Sequence, residues 1–163
     1  MQRGKLTAWC AQHDRRTFLP TKARAFELAA LSGDETVGIT EFLMSLDKPT
    51  PEVKRAVEAA VSWLNEVKMP GLSMREIKDL SQPSGRDRVM VPEVGSTLWA
   101  RFYDLETNQS IYVGRDGLKR TKLAEIENER RVGYVYASTW PAKLLATNYP
   151  KWQARVNGEA SQK

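Results

Sequence analysis

Thr50, Pro51 and Glu52, followed by a long run of regularly spaced apolar residues, constrain the fold most strongly. The Thr50 hydroxyl can accept from a free amide of the first turn, so it makes a good N-cap. Pro51 has no amide to lose and its backbone angle is preset for helix, and Glu52 answers the positive end of the helix. From Pro51 to about Lys68, Val53, Val57, Ala60, Val61, Leu64 and Val67 recur on one face, which predicts an amphipathic helix. Upstream, DETVGITEFLMSLD (34–47) places Ile39, Phe42, Leu43 and Leu46 on one helical face, with Ser32 to Asp34 available as a cap. The short break at Pro49 predicts that the two helices form an antiparallel hairpin.

After Met69 the pattern changes. Pro70, Gly71, Pro83, Gly85, Pro92 and Gly95 punctuate the chain, and only Arg88 to Val91 looks strand-like. Lys122 to Arg131 predicts a short helix, GYVYASTW (133–140) a strand or packed loop, and Ala142–Thr147 and Tyr149–Val156 short helical pieces. A chain of 163 residues can bury one sizeable core, so residues 1–156 are expected to form part of a single domain and 157–163 a disordered tail. No apolar run approaches the ~20 residues that span a bilayer, and the opening MQRGKLTAWCAQHDRR has no signal-like apolar stretch. With 25 Lys+Arg against 20 Asp+Glu the chain carries a net charge of +5, which favours polyanionic partners. Cys10 and His13 form a C-x-x-H pair, but the chain holds 1 Cys and 1 His, too few for a structural zinc site.

Three arginines stand out by their surroundings: Arg24 in KARAFEL, Arg101 in WARFYD and Arg115 in GRDG. Their forks suit carboxylates and aromatic faces alike. The plain alternative is a salt bridge to a nearby acid such as Glu27, Asp104 or Asp116. LWARFYDLETNQSIYVGRDG (98–117) reads as two strands around Asn108. With Tyr103 opposite Ile111, Arg101 would face Val113 and Arg115 would face Trp99, diagonal on one face. Two like charges that close call for a different register or for an anion between them.

The succession WCAQHD, ARAFELAALSGDETVGITEFLM, PEVKRAVEAAVSWL, WARFYDLETNQSIYVGRDG and ERRVGYVY resembles the pectate lyases of polysaccharide lyase family ten, in order over roughly residues 5–155. The resemblance implies a mainly α fold, part of an α,α-toroid, with a loop-rich segment containing short β-strands. It implies calcium-dependent cleavage of α-1,4-linked polygalacturonate by β-elimination, giving 4,5-unsaturated oligogalacturonates. Arg24 matches the arginine that the family uses as base, and Arg101 and Arg115 match arginines that bind galacturonate carboxylates. An arginine, which stays protonated far above neutral pH, costs on the order of 5 kcal/mol to hold neutral near pH ~9, so an alkaline optimum is expected.

Family members carry a further N-terminal stretch, about as long again, with aspartates for calcium and substrate. The chain is therefore expected to be the C-terminal half of the catalytic domain of an exported, monomeric protein. No calcium ligand is assignable within it, and neither nucleic acid nor membrane is an expected partner. A non-catalytic module that binds acidic polysaccharide is the alternative.

Overall fold

Both predicted helices form in a computed structural model that describes residues 1–2 and 4–160: α1 spans Glu35–Met44 and α2 spans Pro51–Glu66. Thr50 caps α2 as predicted, its hydroxyl accepting from the Val53 amide at 3.4 Å. α2 buries Val57, Ala60, Val61, Trp63 and Leu64. α1 turns a different face inward from the one its apolar spacing predicts. Thr36, Thr40 and Met44 are buried while Phe42 is 65% exposed. The threonines can enter the interior because their hydroxyls are satisfied locally. Thr36 accepts from the Trp9 amide at 3.1 Å, and Thr40 donates to the Thr36 carbonyl at 2.7 Å.

The expectation of a mainly α chain cut from an α,α-toroid does not hold, because antiparallel strands run through the described residues alongside the helices, most of them from Met69 onward. They are β1 (Leu31–Ser32), β2 (Met69–Lys78), β3 (Arg86–Ala100), β4 (Phe102–Tyr103), β5 (Tyr112–Val113), β6 (Lys119–Arg120) and β7 (Ala137–Ser138). They form antiparallel sheets in the orders β1-β4, β2-β3-β7 and β5-β6. The long β2–β3 hairpin occupies the stretch where prolines and glycines predicted irregular chain. Its pairing absorbs them in a register shift: Pro70 pairs with Thr97, but Leu72 pairs with Pro92. Gly71 and Gly95 flank the shift with φ of +73° and +85°, angles that only glycine adopts freely.

The register around Asn108 also differs from the predicted one. Tyr103 bridges to Ser110, one residue short of Ile111, and Ile111 donates its amide to the Phe102 carbonyl at 3.0 Å. Asn108 makes the turn with a φ of 59°. Trp99 pairs with Ser138 of β7, and Arg115 belongs to the separate turn joining β5 to β6. Arg101 and Arg115 are therefore not cross-strand neighbours. A slip of one residue in a strand moves every side chain to the other face.

Side chains of β3 and β4 lock the sheet to α2. The Trp99 indole donates to the Leu64 carbonyl at 2.7 Å. The Tyr103 hydroxyl donates to the Val67 carbonyl at 3.1 Å and accepts from the Ala100 amide at 2.7 Å, its ring edge-on to Trp63. The remaining helices are α3 (Asn128–Gly133), α4 (Trp140–Lys143) and α5 (Tyr149–Ala160), the last two joined by a π turn over Leu144–Asn148. α5 runs into the segment expected to be a tail, and residues 161–163 lie outside the described residues. Among the described residues, no helix is long and apolar enough to cross a membrane.

Candidate functional site

Phe26 lies between Arg24 and α1, and three guanidiniums gather on its ring. Arg130 of α3 lies 4.5 Å from the ring centroid, Arg115 4.7 Å and Arg24 5.8 Å. The GRDG turn reaches this ring because it packs directly on the Arg24 segment. Gly117, at a φ of +75°, leaves so little room that a Cβ there would stand 2.9 Å from the Ala25 carbonyl oxygen. Glu127 holds the start of the turn, its carboxylate accepting from the Arg115 amide at 3.1 and 3.2 Å.

The surface continues from Arg130 to Arg101 across a second ring. Tyr134 lies 5.1 Å from the Arg130 guanidinium and 5.2 Å from that of Arg101, and Trp140 receives Arg101 from 5.9 Å. Arg24, Arg115 and Arg101 thus belong to one arginine–aromatic array, although Arg101 shares no ring with the other two. A cavity of about 60 Å³ opens beside it, lined in part by Thr21, Glu27, Glu35, Phe102 and Tyr134. Sequence reasoning missed Arg130 and both rings. The signal available was the recurrence Arg130, Tyr134 and Tyr136, which looked like a charged helix followed by an unrelated aromatic run.

Each predicted site arginine also has an acidic partner. Arg24 is 72% exposed and pairs through Nε with Glu27 at 3.3 Å. Arg115 grips Glu129 with both arms, Nε to Oε2 at 3.1 Å and Nη2 to Oε1 at 2.7 Å, a contact that raises its pKa. Arg101 meets Asp34 at 2.8 Å and Glu35 at 2.7 Å, while its Nε is buried without a partner. Burial works against the Arg101 charge, but Glu35, Tyr134 and Asp34 together raise its pKa.

The two acids on Arg101 differ. Burial raises the Asp34 pKa despite the arginine beside it. Burial also penalises Glu35, yet the Ser32 hydroxyl, its own amide and Arg101 bring its pKa below the usual value. Asp34 meets Arg101 as an ion pair, whereas Glu35 also accepts a hydrogen bond from it. Asp104 and Asp116, weighed as arginine partners, serve their own turns: Asp104 binds Lys119 at 2.6 Å and Asp116 binds Arg120 at 2.7 Å. Cys10 is buried and the His13 Nδ1 lies 2.9 Å from the Phe18 carbonyl.

Together the fold and this array define a mixed helix-and-sheet chain whose cationic surface suits ligands bearing carboxylates. The pectic acid lyase family model matches residues 1–145, and the chain belongs to that family. Among solved structures it is similar to a family 10 polysaccharide lyase from Cellvibrio cellulosa, at 37% identity and a TM-score of 0.80 over 94% of this chain and 46% of that one. It is also similar to a mutant family 10 polysaccharide lyase from Cellvibrio cellulosa in complex with trigalacturonic acid. The identity there is 38% and the TM-score 0.78, over 92% of this chain and 45% of that one. The chain therefore spans about half the length of the structures it matches. No curated protein matches it.

The described residues do not fit a calcium site by themselves. No group of three or more His, Cys, Asp or Glu among them could hold a metal ion, and the acids nearest the array are already engaged by arginines.

Proposed function

We propose that this chain provides the substrate-holding arginines and the base of a pectate lyase that cleaves polygalacturonate by β-elimination. The observation that carries this is the array itself: Arg24 and Arg115 on the Phe26 ring, joined through Arg130 and Tyr134 to Arg101, in a chain of the pectic acid lyase family.

Polygalacturonate presents one carboxylate per sugar, so several guanidiniums in one array suit it better than a single cation. Arg115 and Arg101 hold the carboxylates, the ligand taking the place of an acid now paired with each of them. Arg24, exposed and acting in its neutral guanidine form, takes the C5 proton. The C5–H electrons form the C4–C5 double bond, the C4–O bond to the leaving sugar breaks, and the departing oxygen takes up a proton. Charge developing on the C6 carboxylate is stabilised by cations already in place. No water is consumed, so the two-carboxylate arrangement of glycoside hydrolases has no part. Calcium dependence belongs to the proposal, with ligands from outside the described residues and from substrate, and no step above is routed through the ion.

Ultraviolet absorbance of the unsaturated product on polygalacturonate tests the activity. Arg24→Ala should abolish the rise while largely sparing binding, and Arg101→Ala and Arg115→Ala should weaken affinity. A full rate in Arg24→Ala refutes that arginine as base. Binding with no elimination, with or without calcium, favours the binding-module reading, which the half-length match to the lyase structures keeps open.

A further inference from the structure

Arg24 and Arg115 come from distant parts of the sequence; Arg24 has a single contact to its acid, and Arg115 a two-armed pair that lies in solvent. Arg24 has one Nε contact to Glu27 and is 72% exposed. The Arg115–Glu129 pair is also largely in solvent, at 51% and 64% exposure. An exposed arginine held by a single ion-pair contact, as Arg24 is, gains little from it. What the two arginines share is the Phe26 ring, at 5.8 and 4.7 Å.

The ring has a third, firmer neighbour. Arg130 is buried, and among the described residues no carboxylate lies within ion-pair distance of it. Its Nε and Nη2 donate to the Tyr136 hydroxyl at 3.1 and 2.7 Å, and that hydroxyl donates to the Val113 carbonyl at 2.6 Å. Val113 ends β5 immediately before the GRDG turn. The chain of contacts from Phe26 through Arg130 and Tyr136 thus returns to the strand that carries Arg115. A buried guanidinium without an acid is costly unless aromatic faces and oriented acceptors replace its hydration. Phe26, Tyr134 and Tyr136 are the faces present.

We propose that Phe26 is a positioning residue: its ring, anchored by Arg130, is the plate that sets Arg24 beside Arg115, so that the base stands next to the carboxylate that Arg115 holds. The identity of the ligand rests on the pectate lyase reading, whereas the stacking does not. A role in packing alone would be served equally by leucine, which fills the half-buried site but has no π face.

The test uses the 163-residue chain and its Phe26→Leu and Phe26→Trp variants. In the unliganded chain, the Nε–Hε resonances of Arg24 and Arg115 should show ring-current shifts absent from the exposed Arg15. Phe26→Leu should remove those shifts and weaken calorimetric binding of trigalacturonate about fivefold, the equivalent of one exposed cation–π contact. Phe26→Trp should restore both. Unchanged shifts in Phe26→Leu, or unchanged affinity, overturns the proposal. So does a Phe26→Leu protein that melts early and is not rescued by Phe26→Trp, because that marks a packing role. Wild-type chain that shows the shifts but does not bind trigalacturonate rejects the galacturonate reading and leaves the plate supported.

Discussion

Removing the Asp87 carboxylate should destabilise the chain more than any other single acid deletion near the arginine array. Asp87 opens β3 and meets Arg131 of α3 side-on, Oδ1 to Nε at 2.7 Å and Oδ2 to Nη2 at 2.6 Å, with both side chains 10% exposed. Asn128 and the Arg88 amide also donate to Oδ1. Asp87→Ala would leave a buried guanidinium with only the Ile126 carbonyl, and orphaning one partner of a buried pair costs about 3–5 kcal/mol. At ~2–4 °C per kcal/mol for a chain of this size, Tm should fall by roughly 6–20 °C.

Thermal and urea unfolding followed by circular dichroism give the measurement. Asp87→Leu combined with Arg131→Met should recover most of the loss, since the orphaned charge carries the cost. Arg131 holds the Asp87 pKa below the ordinary carboxylate value. Its stabilising contribution is therefore complete above that ordinary value and lost as pH falls through the lower folded one. The wild type should consequently lose stability on strong acidification more steeply than the double variant. A loss below about 1 kcal/mol in Asp87→Ala would place the pair among weak surface contacts and refute the reasoning.

Other perturbations probe the segments that position the arginines. Gly117→Ala would press a methyl onto the Ala25 carbonyl at a φ reserved for glycine, so it should cost about 1–3 kcal/mol and weaken trigalacturonate binding in calorimetry. Asn108→Ala removes acceptor and donor contacts to the Trp63 indole at 3.0 Å and to Glu66 at 2.9 Å, and leaves alanine at a φ of 59°. A loss of about 1–3 kcal/mol in urea unfolding is expected.

How far the sequence foretold the structure depends on which forces acted locally. α2 was legible because its cap, first-position proline and apolar stripe all lie within one helix. The inward face of α1 was not, since Thr36 counts as polar until the Trp9 backbone supplies partners from outside the helix, and Thr40 until its hydroxyl donates to the Thr36 carbonyl. The β2–β3 hairpin was hidden by Pro70, Pro92 and their glycines, whose meaning depends on a register shift between strands. Likewise Arg24, Arg101 and Arg115 could be picked out by type and neighbourhood. Their arrangement on Phe26 and Tyr134 is tertiary, and no spacing within one segment encodes it.

The Tyr136 hydroxyl has one proton, which it gives to Val113, and its oxygen receives both contacts from Arg130. A phenylalanine at that position would strand the arginine, and a neutral residue at position 130 would leave the phenol oxygen with unused lone pairs in a buried site. Neither change is tolerable alone, so the two positions are expected to drift as a unit. In divergent sequences of this family, loss of the tyrosine without loss of the arginine would mark a chain whose array has been rebuilt around a different acceptor.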